Sequence, residues 1–201
     1  MKLYFNPSVC SLAPHIALRE AGLNFELVKV DIRAHTVADG SDYYKINPKG
    51  YVPVLMLDNG ELLTEGSVIS EYIADLNPAA NLAPPQGTMA RVRLREWMVF
   101  IATEVHKGYA PLFNPAMTDE LKAMARTKLA GRLEWIVGQL GDKSYLTGTT
   151  FTIADAYLFT VLGWGKWTGV EITQWPSLVS YVERIAARPK VIEAVAAEAA
   201  A

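Results

Sequence analysis

Along the first 76 residues, short apolar runs alternate with stretches of helical periodicity. Lys2-Leu3-Tyr4-Phe5 reads as a strand, and Leu12, Ala13, Ile16 and Ala17 then recur at helical spacing, with Gly22 where that helix would stop. Phe25 to Val30 is a second strand, so the opening predicts a β-α-β unit with parallel strands and a right-handed crossover. Residues 31–50 are polar and irregular; they predict a short helix around Ser41 to Ile46 and a turn at Asn47-Pro48-Lys49-Gly50. Tyr51 to Leu57 is an apolar strand, and Pro53, which cannot donate to a central ladder, belongs at its edge or beginning. Asp58-Asn59-Gly60 is a hairpin turn with Glu61-Leu62-Leu63 as the return strand. A helix then opens at Thr64-Glu65-Gly66-Ser67, with Val68, Ile69, Tyr72, Ile73 and Leu76 on its apolar face.

The pattern breaks between Asn77 and Gly87, where Pro78, Pro84, Pro85 and Gly87 read as an inter-domain linker. Beyond it almost no strand signal remains. Helical periodicity runs through 88–113, with Gly108 and Pro111 expected to bend or end the helix, and through 119–137. Phe151 to Phe159 opens a nearly all-apolar helix, which belongs inside a bundle; Thr152 and Asp155 form a capping-box pair at its start. Further helices are expected from Trp175-Pro176-Ser177 to Ala187 and, as an Ala-rich helix or frayed tail, from Val191 to Ala201. The fold class is α/β plus all-α: an N-terminal β-α-β-α-β-β-α domain over 1–77, a linker over 78–87, and an all-helical domain over 88–201.

Composition narrows the function. A hydrophobic content of 51% with 20% charged residues describes an ordinary globular protein, and a formal charge of −2 argues against a nucleic-acid partner. No apolar run approaches membrane-spanning length, and Asn6, Pro7 and Ser8 interrupt any leader-like segment. The single cysteine excludes an internal disulfide and fits a reducing compartment, hence a cytoplasmic protein. Three scattered histidines and one cysteine offer no metal-ligand spacing, so no metal is expected.

That cysteine, Cys10, falls at the first strand–loop–helix junction. Backbone N–H groups at a helix N-terminus favour negative charge, so a thiol there loses its proton more readily than usual; the alternative is a small buried hydrophobe. Cys10-Ser11-Leu12, Asn47-Pro48-Lys49-Gly50 with Val52-Pro53, Leu63-Thr64-Glu65-Gly66, Ala102 to Gly108 and Phe151 to Phe159 occur in this order along the whole chain. In these motifs and in its layout the chain resembles the bacterial beta-class glutathione transferases.

The resemblance implies a thioredoxin-like glutathione-binding domain, an acceptor-substrate pocket in the helical domain, a homodimer, and glutathione as co-substrate with no other cofactor. By that resemblance Pro53 follows a cis bond and leaves the Val52 backbone to pair with glutathione, while Glu65 and Gly66 hold the γ-glutamyl end. Thr103, Glu104 and His106 reach toward glutathione, some from a partner subunit, and His106 bonds Cys10 or the bound sulfur. Two positions depart from the family: His35 replaces the usual Lys at the glycyl carboxylate, and Val99 replaces the usual Asn. Histidine is only partly charged near neutrality, so the first change predicts weaker, more pH-dependent anchoring. Tyr4, Phe5, Ser8 and Ser11 are further candidates near the thiolate, Tyr4 with an equally good home in the strand core and Ser11 read as a helix-start residue with a secondary role; of Trp97, Trp164, Trp167 and Tyr109, Tyr109 and Trp164 are the candidates for the acceptor pocket. Thr152 and Asp155 are expected to stabilise the fold and not to form a site. The expected activity is transfer of the glutathione sulfur to electrophilic, mostly apolar small molecules, serving detoxification. A Cys10 mixed-disulfide oxidoreductase or peroxidase and a non-catalytic ligand-binding protein are the rival readings.

Overall fold

The computed structural model describes residues 1–201. Strand β1 (Lys2–Phe5) runs parallel to β2 (Glu26–Asp31), in register Leu3 to Leu27 and Tyr4 to Val28, with helix α1 (Leu12–Glu20) between them. β4 (Val54–Met56) pairs antiparallel with β1, and β5 (Leu62–Thr64) antiparallel with β4 across the Asp58-Asn59-Gly60 turn. With β3 at Thr36–Val37 on the outer side of β2, the sheet order is β3-β2-β1-β4-β5, which makes β1 the central strand. That position explains why Leu3, Tyr4 and Phe5 are all buried: a central strand covered on both faces reads as a continuous apolar run. Tyr4 packs with Val30, Val37, Tyr43, Val52 and Val54 in one core. Helix α2 (Gly66–Leu76) follows β5 and buries Ile69, Ile73 and Ala74.

The polar stretch 31–50 holds more structure than its pattern predicts. Thr36–Val37 forms β3, antiparallel to β2, and the expected helix at 41–46 is a single 3₁₀ turn, Tyr43–Lys45, capped by the Asp42 side chain on the Tyr44 N–H at 2.9 Å. A two-residue strand is too short for alternation to register.

The chain divides into two units: Met1–Ala83 with Arg188–Ala201, and Pro84–Ala187. The second contains α3 (Met89–Phe100), a π-helical turn (Ile101–His106), α4 (Lys107–Phe113), α5 (Asp119–Leu140), α6 (Ile153–Leu162), α7 (Gly165–Thr168) and α8 (Pro176–Ala186). Neither Gly108 nor Pro111 ends a helix here. α4 carries both to Phe113, and the change of winding falls earlier, at Ile101. A Cβ at Gly108 would lie 3.1 Å from Leu129 Cδ1, so the missing side chain lets α5 pack closely on α4.

The last helix, α9 (Pro189–Ala200), packs on α1 and groups with the first unit. Its buried stripe is Val191, Ala194 and Glu198. Arg188 bonds both carboxylate oxygens of Glu20, at 2.6 and 2.8 Å, and Lys29 donates to the Ala201 carbonyl at 2.8 Å. An Ala-rich stripe carries too little hydrophobic contrast to show which partner it buries against.

Candidate functional site

In the first unit the Cys10 loop is fastened at several points. Ser11, fully buried, donates to the Asn6 carbonyl at 3.0 Å and accepts the Asn6 N–H at 3.2 Å, which fixes the start of α1. Ser8 sits in the left-handed region at φ +63°, and its N–H donates to Glu198 Oε2 at 2.9 Å. Glu198 Oε1 lies 3.0 Å from His15 Nδ1, and Arg19 Nε donates to His15 Nε2 at 2.8 Å. A guanidinium only donates, so His15 carries its proton on Nδ1 and directs it at the carboxylate. His15 and Glu198 are both buried, so this is a structural clamp between α1, α9 and the loop. Tyr4 turns away from the loop: its ring is in the core and its hydroxyl lies 4.0 Å from Met56 Sδ.

Cys10 lies just before α1, as expected, with its thiol donating to the Val52 carbonyl at 3.3 Å. The contact is made by a protonated sulfur; a thiolate would face the oxygen lone pair. The Val52–Pro53 bond is cis. The preceding carbonyl, of Tyr51, accepts both the Tyr43 hydroxyl at 2.9 Å and Asn47 Nδ2 at 2.7 Å, so the turn at 47–50 braces the segment beside Cys10. Gly66, the first residue of α2, rests on the proline, since a Cβ there would be 3.6 Å from Pro53 Cγ. The N–H groups of that first turn lack intrahelical acceptors and suit a carboxylate. Glu65 precedes them at φ +68°, its carboxylate 2.6 Å from Lys49 Nζ, which also donates to Thr64 Oγ1 at 3.0 Å. His35, at φ +54°, stacks on Tyr44 with centroids 4.4 Å apart and an interplanar angle of 30°. Its Nδ1 is buried without a hydrogen-bond partner. Gly50 makes room for this pair: at φ +69°, a Cβ would lie 2.8 Å from Tyr44 Cε1 and 3.0 Å from His35 Cε1. Cys10, Val52 and Gly66 thus come together, with Glu65 at the adjoining helix start.

In the second unit Thr103, Glu104 and His106 share the π-helical turn. Such turns add a residue per winding and redirect side chains, and they occur frequently at functional sites. Thr103, exposed, donates to the Val99 carbonyl at 3.0 Å, and Val99 itself is exposed on α3. Glu104 is held by Arg132 Nε at 2.7 Å. His106 Nδ1 is 2.7 Å from the Tyr157 hydroxyl. Burial, and secondarily the Lys107 charge, pull the His106 imidazole down to about 4. Trp164 meets His106 edge-on at 4.8 Å, Tyr109 at 5.7 Å and Phe113 at 5.9 Å between centroids. Tyr109 is fully buried with no partner for its hydroxyl, whose ionisation burial pushes up. Trp97 packs instead with Phe100 and Trp135, and Trp167 is exposed under Lys166.

Asp155 has more partners than its capping role predicts. One oxygen accepts the Thr152 N–H at 2.8 Å and the Thr152 hydroxyl at 2.9 Å; the other accepts the Leu146 N–H at 2.9 Å and the Tyr181 hydroxyl at 2.8 Å. Lys49, Arg132, Phe113 and Tyr157 have no role legible in the sequence, although Lys49 and Tyr157 lie inside the motifs quoted above.

Two family models match the chain: the glutathione S-transferase N-terminal domain over residues 7–76 and the glutathione S-transferase C-terminal domain over residues 100–189. Glutathione S-transferase GstA of Escherichia coli O157:H7 is 44% identical over 198 residues, covering 98% of each chain. A sphingomonad glutathione S-transferase solved in complex with glutathione superposes with a TM-score of 0.96 at 45% identity over 100% of both chains. A bacterial beta-class enzyme from Sphingomonas chungbukensis does so with a TM-score of 0.95 at 46% identity over 98% of both. With two domain models in sequence and this identity along its whole length, the chain belongs to the glutathione S-transferase family, in the bacterial beta class.

Proposed function

We propose that the protein binds glutathione through its first unit and transfers the tripeptide's sulfur to an electrophilic carbon of apolar small molecules. The likeness that carries this reading is full-length: a transferase solved with glutathione bound shares this chain's fold at 45% identity. In this reading the Val52 backbone pairs with the extended tripeptide, as in strand addition. The Gly66 N–H groups take the γ-glutamyl carboxylate, Glu65 takes the ammonium, and His35 lies toward the glycyl end. Cys10 and His106 stabilise the thiolate, Thr103 and Glu104 complete the glutathione contacts, and Tyr109 and Trp164 border the acceptor pocket. The protein acts as a cytoplasmic homodimer in detoxification and needs no other cofactor. A free thiol near pKa 8.5 is mostly protonated at neutral pH, so holding the anion is the main chemical task, with positioning of the electrophile beside it.

The test is conjugation of glutathione to a chlorodinitrobenzene by wild type and Cys10→Ala. A collapsed rate with glutathione still bound makes Cys10 a direct participant in the transferase step. A variant that keeps most of its rate leaves thiolate stabilisation to His106 or backbone groups. It then favours the second reading, in which Cys10 attacks a disulfide of glutathione, takes up the glutathionyl group as a mixed disulfide and releases the partner as a thiol. The contact between the Cys10 sulfur and Val52, on the segment proposed to hold the tripeptide, supports that reading. A second glutathione would have to resolve the disulfide, because the chain has no other cysteine. Tight binding of apolar ligands without turnover of any electrophile would instead identify a ligand-binding protein.

A further inference from the structure

The Tyr157 hydroxyl and His106 Nδ1 are 2.7 Å apart, a short bond for an oxygen and a nitrogen. The phenol is the readier proton donor of the two, and is taken as donating to the ring nitrogen. The nitrogen that accepts is then the bare one, and the ring's single proton is on Nε2. Nε2 has no hydrogen-bond partner within the protein and is not buried, so its N–H is presented outward. The ring is also held in plane: Trp164 meets it edge-on at an interplanar angle of 77° and Tyr157 at 88°. Tyr157 is itself placed by its helix, because it lies two residues after Asp155, whose four accepted bonds pin the start of α6.

We propose that Tyr157 is a positioning residue which holds His106 as the Nε2–H tautomer and so fixes which ring atom is free to donate in the reaction. This rests on the reading above of His106 as a site residue and deepens it. A neutral donor of fixed direction stabilises a thiolate without adding a proton that the thiolate could take back. Burial keeps the ring uncharged at neutral pH, which preserves the arrangement in the working range. The capping pair at Thr152 and Asp155 thereby acquires a second consequence: it sets the register that brings a hydroxyl to Nδ1.

The two ring nitrogens of the three histidines are resolved by long-range proton–nitrogen correlation spectra of histidine-labelled protein. Wild type is expected to show His106 as Nε2–H. His15 supplies the opposite pattern in the same spectrum, since its Nε2 accepts from Arg19. In Tyr157→Phe, which keeps the ring and removes the hydroxyl, His106 is expected to become a mixture of tautomers, and kcat for chlorodinitrobenzene to fall about fivefold, the value of one buried hydrogen bond. The KM for glutathione should stay within a factor of about two, a split that a general loss of folding would not give. An Nδ1–H signal for His106 in wild type, or an unchanged tautomer in Tyr157→Phe, overturns the proposal whatever the kinetics. A changed tautomer with unchanged kcat removes it from the reaction. Wild type lacking all conjugation activity would sink the transferase reading on which the role rests, and the spectra would still report the tautomer separately.

Discussion

Replacing Asp155 by Ala should cost far more than the loss of a helix cap. An N-cap side chain is worth about 1 kcal/mol. In this fold the Asp155 carboxylate also takes the Leu146 N–H and the Tyr181 hydroxyl, both fully or almost fully buried, and Asp155 itself is completely buried. Alanine would leave Leu146, Thr152 and Tyr181 with donors facing no acceptor, at about 1–3 kcal/mol each. Removing a carboxylate that is costly to bury offsets part of that, leaving an expected loss of about 3–5 kcal/mol. For a chain of this size the melting temperature would fall by about 6–20 °C. Thermal and urea unfolding of Asp155→Ala, Thr152→Ala and Tyr181→Phe measure this directly. Tyr181→Phe removes a donor instead of stranding one, so it should lose only about 1 kcal/mol. If Asp155→Ala and Thr152→Ala lose the same amount, near that of a cap alone, the four-bond account is wrong.

Two other variants follow from the same kind of reasoning. Glu198→Gln puts an amide NH₂ against either the Ser8 N–H or the His15 Nδ1–H, so stability should drop by about 1–3 kcal/mol and native-state alkylation of Cys10, the only thiol, should speed up; an unchanged alkylation rate and urea midpoint would refute the clamp. His106 has a folded-state value near 4 against about 6.5 unfolded, so the unfolded chain binds more protons between those values and stability rises with pH there. Acidification from pH 6.5 to 4 should therefore remove up to about 3 kcal/mol that His106→Asn does not lose, and identical pH profiles for the two proteins would contradict the burial of this ring.

The sequence makes the sheet and most helices legible for a physical reason: strand and helix periods differ, and β1, β4, α2 and α5 are long or apolar enough to display theirs. The cis proline segment, Glu65-Gly66 and the π-helical turn with His106 come from motif resemblance, not periodicity. What stays hidden is whatever depends on contacts distant in sequence. Tyr157 reads as one more apolar residue in an apolar helix until Nδ1 of His106 appears 2.7 Å from its hydroxyl. Arg132 reads as a solvated charge until Glu104 meets it. The Ala-rich segment after Arg188 gives no sign that it returns to α1, because its apolar stripe is only Val191 and Ala194 and the rest of its pairing is polar, Arg188 with Glu20 and Glu198 with His15. The thiol of Cys10 is similar: its place before a helix is legible in the sequence, while its contact with the carbonyl of Val52, 42 residues on, is not.

The bond between Ser8 and Glu198 spans 190 residues of chain. During synthesis the loop around Cys10 leaves the ribosome 190 residues before its fastening. Strands β2 to β5 and the whole helical unit are made in between, and domains generally fold in that order as they emerge. A nascent chain stalled before α9 would therefore carry a formed sheet with an unlatched Cys10 loop. The loop is fastened only when translation has passed Glu198, so its closure reports that the sheet and the helical unit between have both been made.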